Sequence, residues 1–226
     1  MTMPVICKDI HKKYPMGKTE VSALQGISVN IRASELTVLA GPSGSGKSTL
    51  LNIIGLIDNP TEGSLQINGN DAQELSDLQR VAFRRKNIGF VFQQFHLIPV
   101  LTAYENAEYP LMLLGVSQKE KKELLEYILN AVGMWEYRHH RPAQLSGGQQ
   151  QRISVARALV KKPTIILADE PTANLDSHNG LQVIELLQKL SVEHATACVI
   201  ASHDPAVIHM GNRVIMLHDG LIKEEK

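Results

Sequence analysis

A glycine-rich segment near the start of the chain has the residue types needed to bind a phosphate chain. Residues 41–49 are Gly-Pro-Ser-Gly-Ser-Gly-Lys-Ser-Thr, and they follow an apolar run at 36–40 and precede a helical pattern. Glycines let the backbone curl around an anion, and the N-terminus of a helix adds the positive end of its dipole. We expect Lys47 to reach the β- and γ-phosphates, Ser48 to ligate a bridging Mg²⁺ ion and Thr49 to bond the α-phosphate. The predicted nucleotide-binding residues of this segment are Gly41, Pro42, Ser43, Gly44, Ser45, Gly46, Lys47, Ser48 and Thr49.

Two adjacent carboxylates end a second strand-like run. Asp169 and Glu170 follow residues 164–168, which are largely aliphatic. Such a pair is too costly for a protein core unless a cation or water meets it. Because successive side chains of a strand point to opposite faces, the two carboxylates can take different roles. We assign Asp169 to Mg²⁺ and Glu170 to the water that attacks the γ-phosphorus.

A third segment, residues 145–152, is Leu-Ser-Gly-Gly-Gln-Gln-Gln-Arg. Ser146 and the two glycines after it open a helical pattern, which predicts a second phosphate-binding helix N-terminus. Together with the first two motifs, this segment resembles the signature of the ATP-binding cassette family, and the resemblance covers essentially the whole chain. It implies Mg²⁺-dependent hydrolysis of ATP by two copies packed head to tail. In that arrangement Ser146, Gly147 and Gly148 of one copy cover the γ-phosphate held by the other.

The resemblance assigns further residues to the nucleotide. Tyr14 matches an aromatic residue that stacks on adenine, although a tyrosine beside a strand also packs in many proteins. Gln93 matches a glutamine that contacts Mg²⁺ and water while linking two lobes, and Gln94 is the adjacent alternative. One departure is Ser34 before Glu35, where relatives commonly have glycine, and it leaves the geometry of that turn open.

Two more residues are assigned in the same way. Asp176, in the segment 174–176, matches a loop that crosses the dimer interface beside the attacking water, although such residues also form ordinary helix N-caps. His203 matches a histidine that senses the γ-phosphate. A lone histidine is usually structural, but a position just after a parallel strand faces the ligand edge of a sheet. The expected catalytic residues are therefore Glu170, His203 and Lys47, and the expected metal ligands are Ser48, Gln93 and Asp169.

Residues 90–106 and 110–115 resemble one branch of the family, which includes lipoprotein-release, macrolide-export and antimicrobial-peptide-export ATPases. The resemblance implies a permease partner with few membrane helices, here on a separate chain because this one ends at Lys226. The other expected partners are a second copy of the chain and, for efflux, a membrane-fusion protein. The permease is expected to dock on an apolar group formed by Phe95, Leu97, Ile98, Pro99 and Leu101, unless these residues fill the core of their own subdomain.

Three other classes of cassette protein share these catalytic motifs. A signalling module that controls a cell-envelope enzyme through a membrane partner, without moving cargo, would use the same catalytic residues. Cassette proteins that organise or repair chromosomes need a long coiled-coil insertion, for which 226 residues leave no room. Ribosome-acting cassette proteins carry two cassettes in tandem, whereas a single phosphate-binding segment is found here. An ATPase subunit of a transporter is therefore the favoured prediction.

The elements that must position these residues alternate between strand-like and helical patterns. Strand-like runs occur at 27–31, 36–40, 88–92, 164–168, 197–201 and 213–217, and helical patterns occur at 47–56, 119–132, 148–160 and 180–192. Several runs are apolar throughout, which is typical of parallel strands covered on both faces. The alternation predicts an α/β fold with a largely parallel sheet. The resemblance adds the P-loop NTPase class, an N-terminal antiparallel β portion and an inserted α-helical subdomain.

The chain is predicted to form one ATPase domain, 1–226, with two lobes. Strand-like runs are missing between about 95 and 162, so we place the helical subdomain at 95–161 and the nucleotide-binding core lobe at 1–94 and 162–226. The charged stretch 119–123 is predicted to be a solvated helix face. Turns of the subdomain are expected at Pro99, Pro110, Gly115 and Pro142.

Composition excludes several classes of protein. Lysine plus arginine and aspartate plus glutamate balance at 23 each, so no global field draws the chain to nucleic acid, and no such partner is expected. Cys7 and Cys198 lie far apart and suit reduced thiols. Residues 1–9 lack a secretory signal pattern, and no apolar run approaches the roughly 18 to 20 residues that span a bilayer. We therefore expect a cytoplasmic protein held at the inner face of the cell membrane by its permease.

Overall fold

The computed structural model describes residues 3–17 and 19–226 of the chain. Residues 1, 2 and 18 of the predicted core lobe lie outside the described residues. Residues 1 and 2 also belong to the segment 1–9, which lacks a secretory signal pattern. The strands are β1 (Val5–Met16), β2 (Thr19–Ile31), β3 (Leu36–Ala40), β4 (Glu62–Ile67), β5 (Asn70–Asp71), β6 (Ile88–Phe92), β7 (Ile165–Asp169), β8 (Ala197–Ser202), β9 (Arg213–His218) and β10 (Leu221–Glu225). The helices are α1 (Lys47–Ile54), α2 (Asp77–Asn87), α3 (Ala103–Leu113), α4 (Gln118–Ala131), α5 (Gly147–Leu159), α6 (Ser177–Glu193) and α7 (Pro205–Met210), with a 3₁₀ turn at Pro142–Gln144.

The strands form two sheets. The first sheet has four strands in the order β2-β1-β4-β5, all antiparallel. The second has six strands in the order β10-β9-β3-β8-β7-β6, parallel except for β10. The predicted α/β class, with a largely parallel central sheet and an N-terminal antiparallel portion, is confirmed.

The core lies on both faces of the six-stranded sheet. Strand residues alternate between the faces, so Val38 packs with the helices α3 to α7 whereas Leu39 packs with α1 and the antiparallel sheet. Helix α1 is buried between the two sheets, with Leu50, Ile53 and Ile54 fully covered. The phosphate-binding segment, which leads into α1, is therefore fixed by the most enclosed helix of the lobe.

The strand-like runs of the sequence predicted the positions of the parallel strands of the central sheet. The runs at 36–40 and 88–92 coincide with β3 and β6, and β7, β8 and β9 begin or end within one residue of their runs. No run marked β1, β4, β5 or β10. In β1, one face of the antiparallel sheet is exposed and carries polar residues, so the strand has no continuous apolar run. The turn at Ser34 adopts a φ of 59°, a left-handed conformation that explains why glycine suits this position.

Two local expectations were wrong. Pro110 does not mark a turn but lies inside α3, close enough to its end that the missing amide hydrogen bond leaves most of the helix intact. Lys121 is not on a solvated face, because it is buried and donates a 2.7 Å hydrogen bond to Glu108 of α3. The other charged residues of the stretch 119–123 are exposed, as expected.

The helices α3, α4 and α5 follow one another between β6 and β7. One hydrophobic cluster includes Ile153 of α5 and Ile166 of β7, so this helical segment and the sheet share a continuous core. The lobe boundaries at 94/95 and 161/162 stay a prediction. None of the helices in the described ranges combines the length and hydrophobicity needed to cross a membrane.

Candidate functional site

The carboxyl ends of four parallel strands meet at one edge of the central sheet. Ala40 of β3 pairs with Ser202 of β8, and Asp169 of β7 pairs with both Ala201 of β8 and Phe92 of β6. The chain therefore leaves the sheet at the same level in each strand. The residues brought to this edge are Gly41, Gln93, Glu170 and His203.

The phosphate-binding segment requires glycine at two positions for steric reasons. Gly41 has a φ of 146°, and a Cβ atom there would collide with the carbonyl oxygen of Leu217. Gly46 has a φ of 103°, and a Cβ atom there would lie 2.7 Å from the carbonyl oxygen of Ala23. The loop is therefore packed tightly from outside by β9 and β2, which holds its backbone in a curled conformation.

Helix α1 differs from the other helices at its N-terminus. Its N-cap is Gly46 in a left-handed conformation, so no side chain caps the first amide groups, and its first turn has no acidic residue. The other α-helices of the described chain have a side-chain cap from Ser76, Thr102, Ser117, Ser146, Asp176 and Asp204, respectively. The uncapped amides of α1 and its dipole are suited to an anionic ligand.

Two polar side chains of the loop, Lys47 and Ser45, indicate what kind of ligand the loop binds. Lys47 is buried, and its Nζ atom donates to the carbonyl oxygens of Gly41 at 2.6 Å and Pro42 at 2.9 Å. Its ammonium group thus rests inside the loop, and no carboxylate of the described chain hydrogen-bonds to it. The Oγ atom of Ser45 is buried without a hydrogen-bond partner among the described residues. Both features fit a loop whose ligand is a polyanion.

The loop opens onto a groove of about 300 Å³. The groove lies over the N-terminus of α1, and Glu170 reaches it from the end of β7. Its lining residues are Ala23, Ser43, Gly44, Gly46, Lys47, Ser48, Thr49 and Glu170. The predicted phosphate-binding residues and the predicted catalytic carboxylate thus face one space.

Ser48 and Asp169 are brought together across the edge of the sheet. Ser48 Oγ donates a 3.1 Å hydrogen bond to Asp169 Oδ1, although the two residues are 121 positions apart in the sequence. Burial raises the pKa of Asp169, and the neighbouring charge of Glu170 raises it further, while Ser48 and Lys47 act in the opposite direction. A hydroxyl and a carboxylate side by side next to a phosphate loop provide the oxygen ligands that Mg²⁺ prefers.

Glu170 is held in a strained and well-supported position. Its φ of 46° is unusual for a residue with a side chain and costs about 1–3 kcal/mol. Its Oε1 atom lies 2.7 Å from His203 Nδ1, and its Oε2 atom accepts a 3.4 Å hydrogen bond from Ser202 Oγ. The strained backbone and the two side-chain contacts together aim the carboxylate at the groove.

Tyr14 lies near the end of β1 and is not among the residues that line the groove. Its hydroxyl donates a 2.7 Å hydrogen bond to Asp58, which follows α1. Burial raises the pKa of Tyr14, and the hydrogen bond to Asp58 raises it further. The residue is 37% exposed, so part of the ring remains accessible to a ligand.

The signature segment does not reach the groove within one chain. None of the described residues that line the groove comes from 145–152. Ser146 is exposed, and its Oγ accepts from the amide of Gln149 in a capping box, which leaves the hydroxyl proton free to bond elsewhere. Gly147 lies instead against Leu175 of the segment 174–176.

Two other predicted residues, Asp176 and Gln93, are not among the described residues that line the groove. Asp176 is exposed and caps α6 through the amide of Asn179 at 2.9 Å, a bond that lowers its pKa. Gln93 and Gln94 are exposed; the carbonyl oxygen of Gln93 accepts a 3.0 Å hydrogen bond from Asn174, and that of Gln94 accepts one from the amide of His96. Contacts of the Gln93 and Asp176 side chains with nucleotide or metal stay a prediction.

Sequence reasoning missed the residues that tie these segments together. Gln151 of α5 is fully buried and donates to the carbonyl oxygens of Phe92 at 3.2 Å and Pro171 at 2.6 Å, next to Gln93 and Glu170. Arg157 of the same helix donates to the carbonyl oxygen of Phe95 at 2.8 Å. The available signal was the repetition of polar residues, Gln151 and Arg157, on the buried face of the helical pattern 148–160. This signal does not indicate which group each side chain contacts.

Comparison with known proteins agrees with this geometry. The family model described as ABC transporter matches residues 24–173. An ABC transporter ATP-binding protein of Thermotoga maritima is 44% identical over 215 residues, which cover 95% of this chain and 92% of the relative. The macrolide export ATP-binding/permease protein MacB of Syntrophobacter fumaroxidans is 41% identical over 220 residues, which cover 96% of this chain but 31% of that protein.

Solved structures give the same result. The ABC transporter ATP-binding protein MJ0796 of Methanocaldococcus jannaschii is 45% identical over 223 residues, 97% of this chain and 95% of the relative. A dimeric structure of MJ0796 in a post-hydrolysis state, bound to ADP and Pi, superposes with a TM-score of 0.88 at 44% identity and covers 98% of this chain and 97% of that one. The similarity therefore extends over nearly the whole chain in both sequence and fold.

Proposed function

The chain belongs to the ABC transporter family as an ATP-binding and ATP-hydrolysing subunit, and we propose that two copies close around two Mg-ATP molecules to drive a separate membrane permease. The observation that carries this proposal is the separation of the uncapped N-terminus of α1 from the predicted phosphate-binding segment at the start of α5. The uncapped N-terminus of α1 lies at the groove, whereas Ser146 at the start of α5 is exposed and lies outside it. A second copy packed head to tail would supply its Ser146 to each groove, and the dimeric structures of MJ0796 support the pairing of two copies. ATP-dependent dimerisation of a hydrolysis-deficient variant tests it.

The residues at the sheet edge have separate roles in the proposed reaction. Lys47 turns from the loop carbonyls to the β- and γ-phosphates, and the α1 amides hold the phosphate chain. Glu170 accepts a hydrogen bond from the attacking water and orients it. His203 holds Glu170 through Nδ1, and its exposed ring leaves Nε2 available to the γ-phosphate. Catalysis then results from positioning and charge stabilisation.

The proposed metal site consists of Ser48 and Asp169, with Gln93 as a further ligand. The Ser48–Asp169 hydrogen bond holds two oxygen ligands side by side at the mouth of the phosphate loop. When bound there, Mg²⁺ neutralises charge on the β- and γ-phosphoryl oxygens. The raised pKa of Asp169 shows that its charged form is disfavoured without a cation.

Asp169→Asn should therefore separate function from stability. We expect Mg²⁺-dependent ATP turnover to fall at least about 100-fold, because a neutral amide is a poor Mg²⁺ ligand. The nucleotide-free variant should melt at the same temperature as the parent or higher, because a half-buried charge beside Glu170 is removed. Turnover against Mg²⁺ concentration and thermal melting are the measurements. Asp77→Asn, an exposed and distant control, should change neither, and a destabilised Asp169→Asn protein would contradict the assignment.

A groove beside the predicted docking group supports a docking surface for the permease there. An apolar groove of about 330 Å³ lies between α2, α3 and β6, with Val81, Phe90, Tyr109 and Leu113 in its lining. Leu97 of the expected docking group packs against the core and is less available than these residues. We propose that this groove, next to residues 95–101, receives the permease.

Charge indicates which kind of segment would fit the groove. Its described lining includes Arg84, Arg85 and Lys161 but no acidic residue. Burial lowers the pKa of Lys161 to about 8, and its Nζ donates to the carbonyl oxygen of Arg85 at 2.7 Å. A carboxylate from the partner would relieve this cost. The proposed occupant is therefore an amphipathic cytoplasmic helix of the permease that carries an acidic residue.

The double variant Val81→Asp, Leu113→Asp should abolish docking and spare catalysis. Val81 and Leu113 are each over 40% exposed, so the fold should tolerate aspartate at both positions. Two carboxylates in the apolar part of the groove should lower the affinity for the permease at least about tenfold. Co-purification with the permease and ATP turnover of the isolated subunit are the two measurements. Val192→Asp on α6, with comparable exposure, is the matched control. Unchanged co-purification of the double variant would exclude this groove.

The type of transporter is a further part of the proposal. Relatives named as macrolide export proteins support an export permease, and a lipoprotein-release permease is the second member of the same branch. A membrane-fusion protein would complete an efflux assembly. With that permease as anchor, the subunit would lie at the inner face of the cell membrane. No observation on the described chain favours the signalling alternative.

A further inference from the structure

Asp58, just after α1, joins two residues of β1. Its Oδ1 atom accepts a 2.6 Å hydrogen bond from Lys12 Nζ, and its Oδ2 atom accepts a 2.7 Å hydrogen bond from Tyr14 Oη. Lys12 also donates to the carbonyl oxygen of Asn59 at 2.7 Å, and the amide of Asn59 donates to Asp58 Oδ1 at 2.7 Å. Both carboxylate oxygens are therefore used, and the phenol hydroxyl is fixed at one point.

Lys12 also covers the ring of Tyr14. Its Nζ atom lies 4.9 Å from the ring centroid, within cation–π range. The side chains of Lys12 and Asp58 are 12% and 29% exposed, so the pair is partly shielded from solvent. Burial raises the pKa of Asp58, but the hydrogen bonds from Lys12 and Tyr14 outweigh this effect. The pKa of Asp58 is therefore lowered overall. The carboxylate stays charged and keeps both donors.

We propose that Asp58 and Lys12 are positioning residues for the nucleobase of ATP, acting through the ring of Tyr14. The hydroxyl anchor and the ammonium group fix the ring and occupy one of its faces. Tyr14 is 37% exposed, which leaves the opposite face of its ring as the stacking surface. A ring already fixed loses little conformational freedom when the base stacks on it. The inference rests on the proposed function of Tyr14 and extends it to two residues outside the known motifs.

A purely structural role for Asp58 makes a different prediction. The hydrogen bonds to Lys12 and Tyr14 also link β1 to the turn after α1, so their loss could loosen the groove as a whole. In that case every ligand of the groove would bind more weakly. If Asp58 acts through the ring, binding of a ligand without a base would be unaffected.

The experiment compares Mg-ATP with Mg-tripolyphosphate, which has the phosphate chain but no base, by calorimetric titration. Asp58→Ala should weaken Mg-ATP binding roughly tenfold, the scale of one stacking contact, and change Mg-tripolyphosphate binding less than about twofold. Asp58→Asn, which keeps an acceptor without the charge, should fall between Asp58→Ala and the parent. Glu62→Ala, an exposed acidic residue of β4, should leave both affinities unchanged.

A double-mutant cycle shows whether Asp58 acts through Tyr14. In a Tyr14→Ala background, Asp58→Ala should cause no further loss of Mg-ATP affinity. Additive losses, or equal weakening of both ligands by Asp58→Ala, would overturn the inference and leave Tyr14 as the stacking residue. An unchanged Mg-ATP affinity of Tyr14→Ala itself would overturn both the inference and the proposed role of Tyr14. Neither result touches the dimer mechanism, which is tested separately.

Discussion

Glu170→Gln should lower steady-state ATP turnover by about two to three orders of magnitude while ATP binding is retained. The amide keeps the size of the side chain but is a much weaker acceptor for the attacking water. The strained φ of 46° and the contacts to His203 and Ser202 give an aligned carboxylate in the parent. In the proposed cycle hydrolysis reopens the dimer, so the variant should accumulate as an ATP-bound dimer, visible by size-exclusion chromatography with light scattering.

The control for this prediction is Glu185→Gln, an exposed glutamate of α6 far from the groove. It should leave turnover and oligomeric state unchanged. Near-normal turnover of Glu170→Gln would remove Glu170 from its catalytic role. A variant that binds ATP but stays monomeric would show that closure needs the permease or that the head-to-tail arrangement is wrong.

Mixing two inactive variants should restore ATP turnover. Lys47→Ala removes the phosphate-binding cation, and Ser146→Arg blocks the start of α5, so each alone should lower turnover at least about 100-fold. In a head-to-tail dimer, one variant of each kind forms one damaged site and one intact site. Random pairing makes half of the dimers mixed, so an equimolar mixture should recover about a quarter of parental turnover if sites act independently.

The same mixture separates the two possible arrangements of the site. If Lys47 and Ser146 of one chain served the same nucleotide, each variant would damage its own site and no mixture would recover activity. Ser117→Arg provides the control, because Ser117 caps α4 as Ser146 caps α5 and lies away from the groove. In a mixture of Lys47→Ala with Ser117→Arg, ATP turnover should come only from the Ser117→Arg dimers and from the intact site of each mixed dimer.

Much of the site was predictable from short stretches of sequence. Residues 36–49 combine an apolar strand, a glycine-rich loop and a helix start, and β3, the curled loop and α1 follow in that order. Residues 164–170 likewise place two carboxylates at the end of β7. These signals are local, because strand and helix periodicity and the steric needs of glycine act within a few residues. The family resemblance added residues such as Tyr14 and His203, whose roles periodicity does not indicate.

Contacts between distant residues required the tertiary structure. Asp58 and Lys12 are 46 positions apart, Glu170 and His203 are 33 apart, and Gln151 reaches a carbonyl oxygen 59 positions away. The groove that we propose for the permease also forms only when α2 and α3 pack beside β6. The sequence by itself therefore indicated which segments could bind phosphate and where most strands of the parallel sheet lie. Packing alone decided which side chains meet, because the order of strands in a sheet and the faces of helices are set by burial of the whole core.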